Sequence, residues 1–311
     1  MSIAFLFPGQ GSQSTGMLHR LLDHPEVERT LDEISSVLRC DVRGLDSGEA
    51  LASSVSVQLA LLASGVATAR ALIEKGAKPS VVCGLSVGAY SAAVVADVLS
   101  LEDAVELVKI RAEKMVELYP TGYGLSAIIG LNESQVLSIV QAVSTDQEPV
   151  FIANINAPLQ TVIAGSDAGM ELALEQARRQ GARKAERLEV SVPSHCPLLQ
   201  PVADLLQQRF SSLRLRKPGL TYIGNVSARA MRTPDLIAND LANNVAHGVR
   251  WHDATTVAKE LGCSLFLEMP PGHVLSDLAK ENLPGVNSLP AERDILPRVL
   301  RVAQQEIITS G

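Results

Sequence analysis

Five consecutive residues, Gly84-Leu85-Ser86-Val87-Gly88, constrain the fold of this chain most strongly. They follow the apolar run at residues 80–83 and precede an Ala- and Val-rich stretch at 89–96, which predicts a strand, a tight turn and a helix. The two glycines permit a sharp turn, and backbone N–H groups at a helix N-terminus can stabilise an oxyanion. The pattern therefore predicts a nucleophile elbow that presents Ser86. The alternative is a Gly-rich turn with an ordinary serine.

Composition limits the classes of protein to consider. With 311 residues, of which 46% are hydrophobic and 20% charged, the chain is long enough for an α/β core and a smaller second domain. The net charge of −7 argues against a nucleic-acid partner. Four scattered cysteines without a C-x-x-C pair indicate reduced thiols and a cytoplasmic location. No signal peptide and no apolar run of membrane-spanning length are recognised, so we expect no membrane association.

The order of predicted elements indicates two units. Patterns typical of the first unit are a buried strand at 3–7, helices at about 55–74 and 101–118, and later a helix at 197–209 with strands at 220–224 and 264–268. Between them come strands at 125–129, 150–155, 161–164 and 187–190 and helices at 133–143 and 167–180. That order, βαββαβ, is the ferredoxin-like unit. We therefore predict a small domain at 123–191 inserted into a large α/β domain made of 1–122 and 192–311.

His195 is the candidate base for Ser86. It lies in Val192-Pro193-Ser194-His195-Cys196-Pro197, where two prolines stiffen the loop. A serine hydroxyl is a poor nucleophile until a base takes its proton, and serine before histidine is a chain order found in hydrolase-like sites. The alternative is a loop histidine bonded only to local backbone.

Arg111 interrupts the apolar stripe of the predicted helix at 101–118. Its neighbours on that face are Ala104, Leu107, Val108 and Met115. A guanidinium on a core-facing side needs an anionic partner. Three interpretations stay open: a structural carboxylate, a substrate carboxylate held by two hydrogen bonds, or a side chain that extends to solvent.

Several separated blocks, in order along almost the whole chain, resemble the malonyl-CoA:acyl-carrier-protein transacylases. The blocks are Phe7-Pro8-Gly9-Gln10-Gly11-Ser12-Gln13, the Gly84-to-Gly88 turn with Arg111 in the next helix, Asn156-Ala157-Pro158 with Val162-Ile163-Ala164-Gly165, Ser191-Val192-Pro193-Ser194-His195-Cys196, Val249-Arg250-Trp251 and Glu268-Met269-Pro270-Pro271-Gly272. The resemblance implies an α/β hydrolase-like core with an inserted ferredoxin-like domain. That fold agrees with the predicted order of elements.

The resemblance also implies roles for particular residues. Ser86 would be the acyl-accepting nucleophile, His195 the general base and acid, and Arg111 the group that grips the free carboxylate of the malonyl group. The oxyanion hole would consist of the backbone N–H groups of Gln10 and Val87.

Asn244 falls where the family has a glutamine whose backbone carbonyl orients the histidine. That role needs only a backbone carbonyl, so it survives the change of side chain. Malonyl-CoA would be the acyl donor and an acyl carrier protein the partner, and neither a metal nor another cofactor is implied.

Leu85 and Ala89 depart from the family pattern His-Ser-Leu-Gly-Glu. In these positions the chain looks more like the malonyltransferase (epsilon) subunit of bacterial malonate decarboxylase. The resemblance rests on Leu85-Ser86-Val87-Gly88-Ala89-Tyr90 and on three further segments, Ala153-Asn154-Ile155-Asn156-Ala157-Pro158, Leu59-Ala60-Leu61-Leu62 and Tyr119-Pro120-Thr121-Gly122-Tyr123-Gly124. There the carrier protein bears a dephospho-CoA-derived thiol arm, and other decarboxylase subunits would be further partners. The alternatives are a transacylase of fatty-acid or polyketide synthesis, a serine thioesterase or esterase, and a non-catalytic assembly subunit. A patatin-like hydrolase is disfavoured because the chain has no Asp-Gly dipeptide.

Overall fold

Two sheets with different strand directions organise the chain. The computed structural model describes residues 2–291 together with 297 and 301, and within these the larger sheet has six strands. In sheet order they are β10 (Asn287–Pro290), β9 (Cys263–Glu268), β1 (Ser2–Phe7), β2 (Pro79–Gly84), β7 (Thr221–Ile223) and β8 (Ala230–Met231). Every neighbouring pair is parallel except β7 and β8. A parallel sheet of this kind needs helices on both faces.

Strand β1 shows how the two faces are covered. Ile3, Phe5 and Phe7 belong to one buried cluster, whereas Ala4 and Leu6 belong to another. The first cluster includes residues of α1 (Pro25–Leu38), α2 (Ser54–Glu74), α3 (Gly88–Val95), α4 (Leu101–Leu118), α7 (Gln200–Phe210) and α8 (Pro234–Asn243). The second includes residues of α9 (Trp251–Glu260) and α10 (Val274–Asn282). Burial on both faces explains why the sequence of β1 is a continuous apolar run.

The smaller sheet belongs to the predicted inserted unit. In chain order this unit has β3 (Tyr123–Ile129), α5 (Glu133–Val143), β4 (Val150–Ala157), β5 (Gln160–Ser166), α6 (Asp167–Arg179) and β6 (Lys184–Arg187). The strands lie in the order β4-β5-β3-β6, and every pair is antiparallel. The βαββαβ prediction is therefore confirmed. The domain limits of 123 and 191 remain a prediction.

The prediction of a strand at 187–190 is wrong. Strand β6 ends at Arg187, where the predicted strand begins. The apolar residues that suggested a strand, Leu188 and Val190, pack instead against the large core cluster. Leu188 keeps one backbone hydrogen bond, from its N–H to the carbonyl of Leu125 at 2.9 Å. The alternation of apolar residues thus reflects contact with the larger unit.

Helix α2 also corrects an expectation. The sequence predicts no apolar run of membrane-spanning length. Helix α2, with 21 residues, is nevertheless long and apolar enough to cross a membrane. However, 83% of its most apolar window is buried inside the molecule. A helix that is apolar on all sides is typical of a core position as well as of a membrane span, and packing against α1, α3 and α4 explains its composition.

Candidate active site

Ser86 lies in the tight turn between β2 and α3, so the predicted strand, turn and helix are present. Its φ is 55°, in the left-handed region that few non-glycine residues adopt. A Cβ at Gly84 would lie 2.1 Å from the carbonyl carbon of Gly88, and a Cβ at Gly88 would lie 2.2 Å from the oxygen of Phe7. Both glycines are therefore required by close backbone approach. The turn presents the serine beyond the carboxyl end of β2, at the N-terminus of a helix.

His195 contacts Ser86 through its Nε2 atom, which lies 2.8 Å from Oγ. Its Nδ1 lies 2.5 Å from the backbone oxygen of Asn244. A carbonyl oxygen can only accept, so Nδ1 carries the proton and Nε2 is left as the acceptor for the serine hydroxyl. The backbone N–H of His195, a residue with φ 66°, donates to the oxygen of Val245 at 2.7 Å. The loop histidine is thus fixed in the tautomer that a general base needs.

The electrostatics of the site keep His195 neutral. Burial, and secondly the charge of Arg111, lower its pKa from 6.5 to about 3. The hydrogen bond to the carbonyl of Asn244 acts in the opposite direction but does not compensate. A neutral imidazole at Nε2 can accept the proton of Ser86.

Arg111 completes a three-group contact at the serine. Its Nη2 donates to Ser86 Oγ at 3.1 Å, its Nη1 donates to Oε1 of Gln58, and its Nε has no partner. The residue is 1% exposed, and among residues 2–291 no Asp or Glu forms an ion pair with it. The interpretation as a side chain that extends to solvent is therefore wrong, and no carboxylate of residues 2–291 acts as a structural partner. A buried guanidinium without a carboxylate is suited to an anionic ligand.

Gln10 and Val87 line the same pocket as Ser86, His195 and Arg111. Among the backbone hydrogen bonds of the described segment, neither residue's N–H appears as a donor. The side chain of Gln10 donates to Oγ of Ser54 at 3.1 Å, which fixes the loop that follows β1. The structure therefore brings together all the residues that the sequence singled out, with Asn244 behind the histidine.

A wider groove continues from this pocket. The pocket and the groove share residues from both units, namely Gly9, Gln10, Leu85, Leu125, Asn154 and Val190. Leu85 makes part of their junction apolar.

Two residues of the site were not singled out from the sequence. Gln58 binds Arg111 from helix α2, and its position as a buried polar residue in an apolar helix was a usable signal. The Oδ1 atom of Asn225 accepts a hydrogen bond from the backbone N–H of Ser86 at 2.9 Å. No local pattern marks it. Within the described part of the chain, no three His, Cys, Asp or Glu side chains are grouped so as to hold a metal ion.

Comparison with known proteins agrees with this geometry. Residues 4–302 match the family model described as acyl transferase domain. The malonyl CoA-acyl carrier protein transacylase of Bacillus subtilis (strain 168) is 36% identical over 284 residues, which cover 90% of each chain.

Solved structures are similar over nearly the whole chain. The malonyl CoA-acyl carrier protein transacylase of Coxiella burnetii has a TM-score of 0.92 at 37% identity, and the match covers 97% of both chains. A malonyl-transacylase solved in complex with its type II PKS acyl-carrier protein has a TM-score of 0.92 at 34% identity, covering 98% of this chain and 100% of that one. The chain therefore belongs to the acyl transferase domain family and, within it, to the malonyl-CoA:acyl-carrier-protein transacylases.

Proposed function

We propose that the protein transfers a malonyl group from malonyl-CoA to the thiol of an acyl carrier protein. One observation carries this proposal: Nε2 of His195 and Nη2 of Arg111 lie 2.8 Å and 3.1 Å from Oγ of Ser86. A nucleophile, a neutral base and an unpaired cation suit a substrate that has both a reactive carbonyl and a free carboxylate. The relatives' name, malonyl CoA-acyl carrier protein transacylase, describes such a substrate and its acceptor.

In the first half-reaction, Oγ of Ser86 attacks the thioester carbonyl carbon of malonyl-CoA. Nε2 of His195 takes the hydroxyl proton, because Nδ1–H already donates to the carbonyl of Asn244. The negative oxygen of the tetrahedral intermediate accepts hydrogen bonds from the N–H groups of Gln10 and Val87. The carbon–sulfur bond then breaks, the imidazolium returns its proton to the sulfur of CoA, and a malonyl-serine ester remains.

The second half-reaction reverses these roles. His195 takes the proton of the carrier thiol, and the sulfur attacks the ester carbonyl. When the carbon–oxygen bond breaks, the imidazolium returns a proton to Oγ of Ser86. Water would compete with the thiol, so a pocket partly lined by apolar residues (Leu85, Val87, Met115, Leu125 and Val190) favours transfer over hydrolysis.

Arg111 would select the malonyl group. Its guanidinium can make two parallel hydrogen bonds to a carboxylate, and burial excludes the water that would weaken them. An acetyl group offers no such partner. A serine thioesterase or esterase, the hydrolytic alternative, would need Ser86 and His195 but not this cation.

The relatives favour a malonyl-CoA:acyl-carrier-protein transacylase of fatty-acid or polyketide synthesis over a subunit dedicated to malonate decarboxylase. They bear the transacylase name, and one solved neighbour is bound to a type II PKS acyl-carrier protein, so a role in fatty-acid or polyketide synthesis is better supported than priming of malonate decarboxylase. The decarboxylase hypothesis rests on Leu85, Ala89 and Tyr90 with the other segments of the epsilon subunit pattern. A cytoplasmic location also remains a prediction.

Intact-mass analysis tests the proposed activity. The protein is incubated with malonyl-CoA, with acetyl-CoA or without a thioester, and the mass of one malonyl group should appear only with malonyl-CoA. Ser86→Ala should not acquire it. A malonyl mass on Ser86→Ala would place the nucleophile elsewhere, and rapid loss of the acyl group in water without a thiol would favour a hydrolase.

A carrier comparison tests the pathway. The malonylated protein is mixed with an acyl carrier protein that bears a phosphopantetheine arm, or with a carrier that bears the dephospho-CoA-derived arm. Faster transfer to the first supports fatty-acid or polyketide synthesis, whereas a clear preference for the second supports the decarboxylase role. Transfer to neither would overturn the proposal that the acceptor is a carrier protein.

A further inference from the structure

The side-chain amide of Asn225 bridges the turn that carries Ser86. Its Oδ1 accepts the N–H of Ser86 at 2.9 Å, and its Nδ2 donates to the oxygen of Gly84 at 2.8 Å. The paired residues of β2 and β7 end at Cys83 and Ile223. The amide therefore extends the ladder of these strands by one step, with the donor and the acceptor that a backbone peptide would supply. Apart from glutamine, no other side chain offers an amide N–H and an amide carbonyl.

The buried carboxylate of Asp240 holds Asn225 in place. Its Oδ2 accepts hydrogen bonds from the N–H of Asn225 and from the hydroxyl of Tyr222, each at 3.0 Å. Its Oδ1 accepts a hydrogen bond from the N–H of Val226 at 3.1 Å. These three hydrogen bonds compensate the cost of burying a carboxylate that is only 3% exposed. A Cβ at Gly224 would lie 2.7 Å from Oδ1, so the chain leaves room for this carboxylate.

The helix that bears Asp240 also ends at the residues that hold His195. Asn244 and Val245 follow the last residue of α8. The oxygen of Asn244 accepts Nδ1–H of His195, and the oxygen of Val245 accepts its backbone N–H. The C-terminal end of α8 therefore contacts the base directly, and it contacts the nucleophile turn both through Asn225 and through Nδ2 of Asn244, which donates to the oxygen of Ser86 at 3.4 Å.

We propose that Asn225 and Asp240 are positioning residues that fix the orientation of Ser86 relative to His195. This inference rests on the proposed roles of those two residues. The positive φ of Ser86 costs energy and persists only where the surroundings hold it. Without the amide, the N–H of Ser86 and the oxygen of Gly84 lose their partners, and the turn relaxes away from Nε2 of His195.

Substitution at Asn225 tests the inference. Asn225→Ala should lower kcat for malonyl transfer roughly 10- to 100-fold, because misplacement of a reacting group by about 1 Å has an effect of this size. KM for malonyl-CoA should stay within about threefold, because Asn225 does not line the pocket or the groove. Asn225→Asp keeps an acceptor for Ser86 but sets an oxygen against the carbonyl of Gly84, so its kcat should be intermediate.

Asn282→Ala is the matched control for Asn225→Ala. It removes a similar bond, from Nδ2 of Asn282 to the oxygen of Asn156 at 2.9 Å, outside the serine turn. This variant should retain the parent kcat. The acid limb of kcat/KM should also stay in place in Asn225→Ala, because the contacts of His195 with Asn244 and Val245 remain. Because a smaller fraction of active molecules would also lower the plateau without moving that limb, kcat is referred to the fraction of each variant that acquires one malonyl group.

Asp240→Asn tests the second residue. The substituted amide would place its NH2 group against the backbone N–H of Asn225 or of Val226, so that two donors face each other. We therefore expect kcat to fall as it does for Asn225→Asp. Tyr222→Phe is its control, because it removes one donor to the same carboxylate but leaves both backbone bonds. Equal losses in Asp240→Asn and Tyr222→Phe would indicate general damage and overturn the role of Asp240.

The outcomes separate this inference from the proposed function. A parent protein that never acquires a malonyl group overturns the proposed function. A parent that transfers malonyl normally, with a folded Asn225→Ala whose kcat is within about threefold of it, overturns only the positioning role. An equal loss in Asn282→Ala also overturns it. If Asn225→Ala does not fold, Asn225→Asp is judged by the same criteria.

Discussion

Arg111 and His195 meet at one atom, the hydroxyl oxygen of Ser86, at 3.1 Å from Nη2 and 2.8 Å from Nε2. The positive charge of Arg111 lowers the pKa of His195, second in effect only to burial. The group proposed to hold the substrate carboxylate therefore also sets the proton affinity of the proposed base. We therefore expect substrate binding and base strength to be coupled through this contact.

The pH dependence of the free enzyme follows from this coupling. His195 acts as a base only when neutral, and its pKa is lowered to about 3, so the neutral form is present at all higher pH values. We expect kcat/KM to be retained as the pH falls from neutrality to mildly acidic values, with any limb due to His195 well below 6.5. Steady-state rates with malonyl-CoA across this range measure it. A limb near 6.5 that disappears in His195→Ala would show that burial does not lower this pKa.

In the complex with malonyl-CoA, His195 should titrate at a higher pH than in the free enzyme. A malonyl carboxylate on Arg111 compensates the charge that lowers the pKa of His195, so that pKa rises when substrate binds. Because kcat reports the complex and kcat/KM the free enzyme, the acid limb of kcat should lie above that of kcat/KM. The two profiles come from the same rate measurements. Coincident limbs would contradict the coupling.

Removal of the base should slow both half-reactions. We expect His195→Ala to form the malonyl enzyme about 100- to 10,000-fold more slowly, the usual contribution of general base catalysis. Rapid-quench mass spectrometry after mixing with malonyl-CoA measures the rate. Circular dichroism confirms that the variant is folded. A folded variant that acylates at the parent rate would remove His195 from the chemistry.

The serine turn depends on glycine for its shape. Gly88→Ala would place a Cβ 2.2 Å from the oxygen of Phe7, a backbone atom that cannot move aside, whereas a Cβ at Gly44 meets nothing within 4 Å. We expect Gly88→Ala to lower the free energy of unfolding by roughly 3 kcal/mol or more, and Gly44→Ala to have little effect. Urea unfolding of both variants measures the difference. Similar unfolding midpoints would show that the turn adapts to a side chain.

The sequence predicts the parts of the site that depend on local patterns. Glycines at both ends of the turn indicate its sharpness, and helical periodicity places Arg111 on the buried face of α4. The same kind of reasoning failed at Leu188 and Val190, because alternating apolar residues can face either a sheet or a neighbouring core.

Partners distant in the chain could not be predicted from local patterns. Asn225 binds Ser86 across 139 positions, and Gln58 binds Arg111 across 53. These contacts depend on how β2, β7, α2 and α4 pack, and a single asparagine between a strand and a loop has no distinctive local signal. Asn244 was identified only through the family resemblance, since its role needs a backbone carbonyl and not a particular side chain.

Arg111 provides the sharpest test of substrate choice, because malonyl-CoA and acetyl-CoA differ by one carboxylate. Loss of a buried, hydrogen-bonded charge pair typically costs about 2–5 kcal/mol. Arg111→Ala should therefore reduce malonyl transfer by roughly 1.5 to 3.5 powers of ten, at about 1.4 kcal/mol for each tenfold change. Acetyl transfer should fall little or rise, because the pocket no longer holds a cation without a carboxylate. Transfer rates of both acyl groups are measured for both proteins. If the two rates fall by the same factor, Arg111 has a structural role and the carboxylate is recognised elsewhere.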